Sequence, residues 1–208
     1  MNLHYYYWYF EKAIPERICD DIIRFGLEQE KQTALTGSGA KKIEDVSPEE
    51  LKNIQQKRKS DIVWLSEKWI YKEIHPFINA ANKNAGWNFD WDWSQNCQFT
   101  EYKKGQYYDW HCDSHQNPYD LPDSPNEHGK IRKLSMTLTL SHEDEYEGGD
   151  LEFDLRNNND VPEKIVCTEI KPKGSIVVFP SFVWHRIKPV TKGTRHSLVC
   201  WNLGLPFR

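Results

Sequence analysis

The sequence contains no Cys-x-x-Cys pair, and its five cysteines, Cys19, Cys97, Cys112, Cys167 and Cys200, make an odd count. Neither a disulfide framework nor a thiolate zinc site is expected from that usage. No stretch approaches the roughly 18 consecutive apolar residues of a membrane helix. The start, Met1-Asn2-Leu3-His4-Tyr5, has no charged region followed by an apolar one, so no secretory leader is read. There is no basic excess either: 27 Lys and Arg stand against 31 Asp and Glu, a formal net charge of -4. That balance argues against a nucleic-acid partner, which calls for a basic stripe. One local basic run, Gln56-Lys57-Arg58-Lys59, reads as a solvated helix end. Internal repeats and low-complexity tracts are missing. These absences lead to the expectation of a soluble protein of a reducing, cytoplasmic compartment, with neither membrane nor nucleic acid as partner.

What is present is aromatic. Phe, Trp and Tyr supply 13% of 208 residues, which favours strands and a lined pocket. The length suits one domain with a sizeable core. Its character changes near residue 95, so a single domain over 1–208 is read as a helical N-terminal support (1–94) and a strand-rich core (95–208). Residues 5–10 read as a strand. Pro15 opens a helix with an apolar stripe of Ile18, Ile22, Ile23, Phe25 and Leu27. Residues 33–46 read as a polar loop, and Ser47-Pro48-Glu49-Glu50 as the capped start of a short helix ending near Lys57. A longer helix is expected over 66–85, with Trp69, Ile70, Ile74, Phe77, Ile78 and Ala81 on its buried side and a kink at Pro76. Beyond residue 95, strands are expected at 97–103, 107–113, 133–141, 150–154, 164–169, 175–179, 183–188 and 195–202, separated by Gly- and Pro-bearing turns. Many short strands after helices give an α+β chain whose sheets form a sandwich or jelly roll. The irregular stretch 114–132 is long for a compact domain, which marks it as a lid or substrate loop. The polar segment 33–60 is a second candidate for closing over a site.

The residues that carry chemistry begin at His111-Cys112-Asp113. On a strand, alternate side chains share a face, so His111 and Asp113 point together and Cys112 points away. His185 follows the apolar strand Ile176-Val177-Val178-Phe179 and offers a third ligand. Two imidazoles and one carboxylate on one side of an ion are the facial set of oxygen-activating Fe(II) sites. Arg195 lies ten residues after His185, and alternation places it on one face with Ser197, Val199 and Trp201. A buried guanidinium there needs an anion, and a dicarboxylate spanning the metal and Arg195 fits. His115 makes an i, i+4 pair with His111, but the strand-like Tyr107-Tyr108-Asp109-Trp110 run and the break at Asn117-Pro118 assign it to a loop facing substrate.

These segments resemble the Fe(II)/2-oxoglutarate-dependent dioxygenases, in the prolyl 4-hydroxylase-like branch and its PKHD-type hydroxylases. The likeness is carried by Glu101-Tyr102-Lys103-Lys104-Gly105 running on to His111-Cys112-Asp113, by Leu134-Ser135-Met136-Thr137-Leu138-Thr139-Leu140-Ser141, by Tyr146-Glu147-Gly148-Gly149-Asp150, and by Phe179-Pro180 through His185 to Arg195. The resemblance implies a double-stranded β-helix (jelly roll) with the N-terminal helices packed on one sheet. It implies Fe(II) on His111, Asp113 and His185, and Arg195 on the far carboxylate of 2-oxoglutarate as co-substrate, with ascorbate as an accessory. Tyr102 stands where the family often hydrogen-bonds the co-substrate; packing as a strand aromatic is the other reading. Tyr108 and Trp201 are expected to face the pocket by alternation with His111 and Arg195, and Thr137, Thr139 and Ser197 to line it. Collagen-type members carry Lys where this chain has Arg195, which favours the PKHD-like side. Gly148-Gly149 reads as a structural turn. The implied reaction couples hydroxylation of substrate to decarboxylation of 2-oxoglutarate to succinate. The substrate class is a prolyl or other residue in a peptide or protein; the alternatives are a free amino acid or small metabolite, or a non-catalytic metal-binding jelly roll.

Overall fold

The computed structural model describes residues 3–34, 47–115, 117–155 and 164–207. The described residues form three α-helices, α1 (Glu16–Glu28), α2 (Pro48–Lys57) and α3 (Lys68–Asn84). The strands are β1 (Trp8–Phe10), β2 (Gln32–Thr33), β3 (Arg58–Lys59), β4 (Asp61–Leu65), β5 (Trp93–Ser94), β6 (Cys97–Lys103), β7 (Tyr107–His111), β8 (Ile131–Thr139), β9 (Tyr146–Gly148), β10 (Leu151–Asp154), β11 (Lys164–Val166), β12 (Ile176–Pro180), β13 (Trp184–Ile187) and β14 (Val190–Gly204).

Among the described residues the strands form two sheets. The large one runs β1-β12-β8-β14-β6-β4-β2, with β5 and β9 also paired to β14; the small one runs β11-β10-β13-β7-β3. All the pairings are antiparallel. From β6 onward the chain passes back and forth between the sheets, so residues distant in sequence face one another.

The alternation in the large sheet has a physical reason, because both of its faces are buried. Leu134, Met136 and Leu138 of β8, Leu198 and Cys200 of β14, Phe99 of β6 and Ile176 and Val178 of β12 join one core cluster with Cys19 and Ile22 of α1 and Ile70, Ile74, Ile78 and Ala81 of α3. Val177 and Phe179, the intervening residues of β12, belong instead to a second cluster with Tyr102, Phe153 and Ile187 between the sheets. The Leu-Ser-Met-Thr-Leu-Thr run of β8 thus turns its apolar side to the helices and its hydroxyls to the space between the sheets.

Several expectations need correction. The first 94 residues are not only a helical support, since β1 and β4 extend the large sheet and β3 extends the small one. β2, β3, β4, β5 and β9 had no counterpart in the expected strands. Leu27 is exposed instead of buried; the inner face of α1 is Cys19, Ile22 and Gly26. Gly26 is there for space, because a Cβ would lie 2.7 Å from the Phe99 ring. Arg58 is not part of a solvated helix end. It follows α2 on β3, whose alternation sends Arg58 inward and Lys59 outward. The expected loop over 33–46 falls, from residue 35 on, outside the described residues.

Candidate functional site

His111, Asp113 and His185 converge between the sheets. Their ligand atoms all lie within 4.8 Å of one another. His111, the last residue of β7, is the direct cross-strand partner of His185 on β13. Asp113 follows the strand end, where its N–H and that of Ser114 donate to the Ser181 carbonyl at 2.8 and 2.9 Å. His111 Nε2 is 3.7 Å from Asp113 Oδ1, and His185 Nε2 is 3.6 Å from Asp113 Oδ2.

The hydrogen bonds around the triad set its chemistry. His111 Nδ1 lies 2.7 Å from the Asp109 carbonyl, and His185 Nδ1 lies 3.0 Å from that of Val183. A carbonyl only accepts, so each Nδ1 carries a proton, and Nε2 is the nitrogen that each ring turns toward Asp113. Burial and the neighbouring His185 push the pKa of His111 down to about 3, which keeps the ring neutral. Burial pushes Asp113 upward, but the two histidines, Arg132 and the Ser135 hydroxyl outweigh it and hold the carboxyl at about 2. A neutral His111, the His185 ring and an ionised Asp113 carboxylate make a donor set that fits a divalent ion of Fe(II) type.

Tyr108 reaches this place by a route that strict alternation does not provide. It is three residues from His111, an odd separation. A register shift in the β7–β13 pairing sets His185 opposite His111 and Ile187 opposite Tyr108, so two steps on one strand match three on the other. The irregularity brings the Tyr108 ring face to face with His111, centroids 3.4 Å apart. On the other side Phe179 packs edge-on against His185 at 4.7 Å.

The large sheet supplies the opposite wall. Arg195 is 2% exposed, pairs in register with Tyr102, and has its guanidinium 5.7 Å from the Tyr102 ring centre. Its Nη1 donates to Ser197 Oγ at 3.2 Å, and no carboxylate pairs with it among the described residues. A cavity of about 10 Å³, room for roughly one water, lies against Arg195, Thr139, Tyr146 and Gly149. Gly149 has φ of +63°, and a Cβ there would come within 3.0 Å of Arg195 Cδ, so this glycine also makes room for the guanidinium. Thr137 and Trp201 are buried on the same inner face.

Some residues of the site went unread in the sequence. Ser135 donates to Asp113 Oδ2 at 2.7 Å and lies 2.9 Å from Ser181 Oγ. It shares the face of Thr137 and Thr139 by alternation, which was the available signal. Arg132 stacks over Trp201 at 3.9 Å and donates to Gln95 at 2.7 Å. The stretch expected as a lid is tied down near its base. Gln95 donates to Glu127 and Lys130 to Asp92, both at 2.7 Å. His115 lies in that stretch, edge-on to Tyr119 at 5.7 Å, and is not one of the three clustered ligands.

Comparison with known proteins follows the same lines. The family model described as 2OG-Fe(II) oxygenase superfamily matches residues 97–202. A PKHD-type hydroxylase of Synechococcus sp. (strain CC9902) is 37% identical over 98 residues, covering 47% of this chain and 36% of that protein. The chain therefore matches well under half the length of that curated relative. Among solved structures, the viral collagen prolyl hydroxylase from Paramecium Bursaria Chlorella virus-1, a 2OG complex, superposes with a TM-score of 0.64 at 17% identity, covering 97% of this chain and 98% of that one. A Pseudomonas putida prolyl-4-hydroxylase gives 0.61 at 18% identity, covering 96% and 92%. Likeness at such identities establishes the fold.

Proposed function

The chain belongs to the 2OG-Fe(II) oxygenase superfamily, and on that premise we propose that it is an Fe(II)- and 2-oxoglutarate-dependent hydroxylase acting on a prolyl or similar residue. The two sheets are read as a double-stranded β-helix forming one domain with its helices on the large sheet. The observation that carries the proposal is the convergence of His111, Asp113 and His185 opposite a buried Arg195 that has no carboxylate partner among the described residues. A purely structural metal site would have no use for such an anion anchor, which argues against a non-catalytic binding protein.

When bound, Fe(II) with 2-oxoglutarate and O2 supplies the oxidising chemistry, and the co-substrate leaves as succinate and CO2. The protein supplies placement. His111 and His185 present Nε2, and Asp113 presents an ionised carboxylate. Arg195 takes the far carboxylate of the co-substrate through its planar fork, with Tyr102 and Ser197 beside it. Tyr108, Phe153 and Phe179 wall the metal side with rings that exclude water. Ascorbate fits the scheme as an accessory reductant that keeps the metal ferrous. A peptide substrate is favoured by the prolyl hydroxylase names of the fold neighbours.

Anaerobic addition of Fe(II) and 2-oxoglutarate should produce a weak visible charge-transfer band. His111→Ala should abolish it by losing iron. Arg195→Ala should retain iron yet need a far higher 2-oxoglutarate concentration. Iron-replete protein with no such band would overturn the proposal.

A further inference from the structure

Arg58 is a second buried cation that has no anionic partner among the described residues. The residue is 5% exposed. Its Nε donates to Ser60 Oγ at 2.9 Å and its Nη1 to Gln98 Oε1 at 3.4 Å, both neutral acceptors. Its Nη2 is buried with no hydrogen-bond partner among the described residues. No ion pair to Arg58 is present among the described residues. The guanidinium sits 4.6 Å above the Tyr108 ring, which also stacks on His111. It therefore lies one aromatic ring away from the metal ligands.

A second orphan donor occurs on the same inner face. Trp201 Nε1 is buried and also has no acceptor among the described residues. Gln98, which holds Arg58, pairs in register with Val199, two residues before Trp201 on β14, so the side chains of Gln98, Val199 and Trp201 share one side of the sheet. Arg132 caps Trp201 with a further positive charge. Among the described residues neither Arg58 Nη2 nor Trp201 Nε1 has an acceptor, and Arg132, whose charge also acts on Asp113, adds to the positive potential at this end of the site. A buried guanidinium without a counter-charge is costly, as is a buried N–H without an acceptor. In the proposed chemistry the co-substrate has only two carboxylates. One goes to the metal and the other to Arg195, so neither is left for Arg58.

We propose that Arg58, assisted by Trp201 Nε1, binds a carboxylate of the substrate itself. The hydroxylated molecule is then a free amino acid or a residue that carries an open terminal carboxylate, and not a residue in the interior of a chain. This rests on the dioxygenase reading and narrows its substrate class.

The test uses protein loaded with Zn(II) and N-oxalylglycine, an inert analogue of the co-substrate, so that the metal and Arg195 positions are filled. The Trp201 indole N–H is followed by 1H–15N spectroscopy and assigned with Trp201→Phe. N-acetyl-L-proline and glycyl-L-proline are titrated against their C-terminal amides. The acids should shift the indole resonance saturably, and the amides should bind at least about tenfold more weakly. Arg58→Met should remove that preference and Arg58→Lys should keep part of it, with the affinity for N-oxalylglycine unchanged in both. Equal shifts from acid and amide, or no shift from either, overturn the proposal, and that comparison needs no variant of Arg58. A loss of N-oxalylglycine binding in Arg58→Met, with the acid preference intact, would overturn it by assigning Arg58 to the co-substrate. Protein that takes up neither Zn(II) nor N-oxalylglycine would instead refute the dioxygenase reading.

Discussion

At Asp113 three separate stretches of chain meet. Its N–H is held by the Ser181 carbonyl, and its Oδ2 accepts from Ser135, which in turn contacts Ser181 Oγ. Ser181 also joins β12 to the turn that leads into the His185 strand. The two serines therefore fix the carboxylate relative to both histidines. Partners of this kind orient ligands and commonly contribute ~10–100-fold to metal affinity. Ser135→Ala should weaken Co(II) or Fe(II) binding by about that factor, while Ser135→Thr should restore much of it. A metal titration monitored by the Co(II) visible spectrum reads the change, and unaltered affinity and spectrum in Ser135→Ala would show that the hydroxyl does no more than fill space.

Among the elements, α3 shows how the helices support the site. Its buried residues Ile70, Ile74 and Ile78 recur every four positions and lie on the back of the sheet whose front carries Arg195 and Ser135. The helix continues through Pro76. Ile74→Ala should cost about 2–5 kcal/mol, seen as a lower urea midpoint with an unchanged slope, because it leaves a cavity in a two-faced core. The small strands have the opposite logic. β2, β3 and β5 are two residues long and exist only because a neighbour pairs with them. Local pattern gives such pieces no signal, so Arg58 read as one of a run of surface charges. β4 is different: Ile62-Val63-Trp64-Leu65 has the branched and aromatic composition of a strand, and that signal was there to be read.

Across the whole molecule, charge as well as apolar burial joins distant segments. On the outer side of the large sheet Glu101 of β6 is met by Lys31 at 3.0 Å, by Lys103 at 3.0 Å and by His196 of β14 at 3.2 Å. Burial raises its pKa, but these partners more than offset that and hold it at about 2, below the ordinary 4.5. A depressed carboxylate pKa stabilises the fold above the unfolded value and loses that contribution as acid protonates the group. The stability difference between the parent protein and Glu101→Gln should therefore be full near pH 6 and shrink as pH falls from about 4.5 toward about 2. Denaturant melts across that window measure it; a gap independent of pH would remove Glu101 from the acid response.

The sequence by itself determined the longer elements and singled out the residues that the structure gathers at the candidate site. Periodicity marked α1, α3 and, apart from β9, the strands from β6 to β14, since a buried regular face is reported directly by the spacing of apolar residues. The spacing of His111, Asp113, His185 and Arg195 was legible because side-chain type restricts what can hold an ion or an anion. Tertiary structure alone decided the rest. The β7–β13 register shift turned Tyr108 onto His111, the passage of strands between two sheets brought Ser135 and Ser181 to Asp113, and a two-residue strand buried Arg58. These depend on pairings between residues far apart in the chain, and the energy that fixes such pairings belongs to the assembled sheets, so no local stretch of sequence carries it.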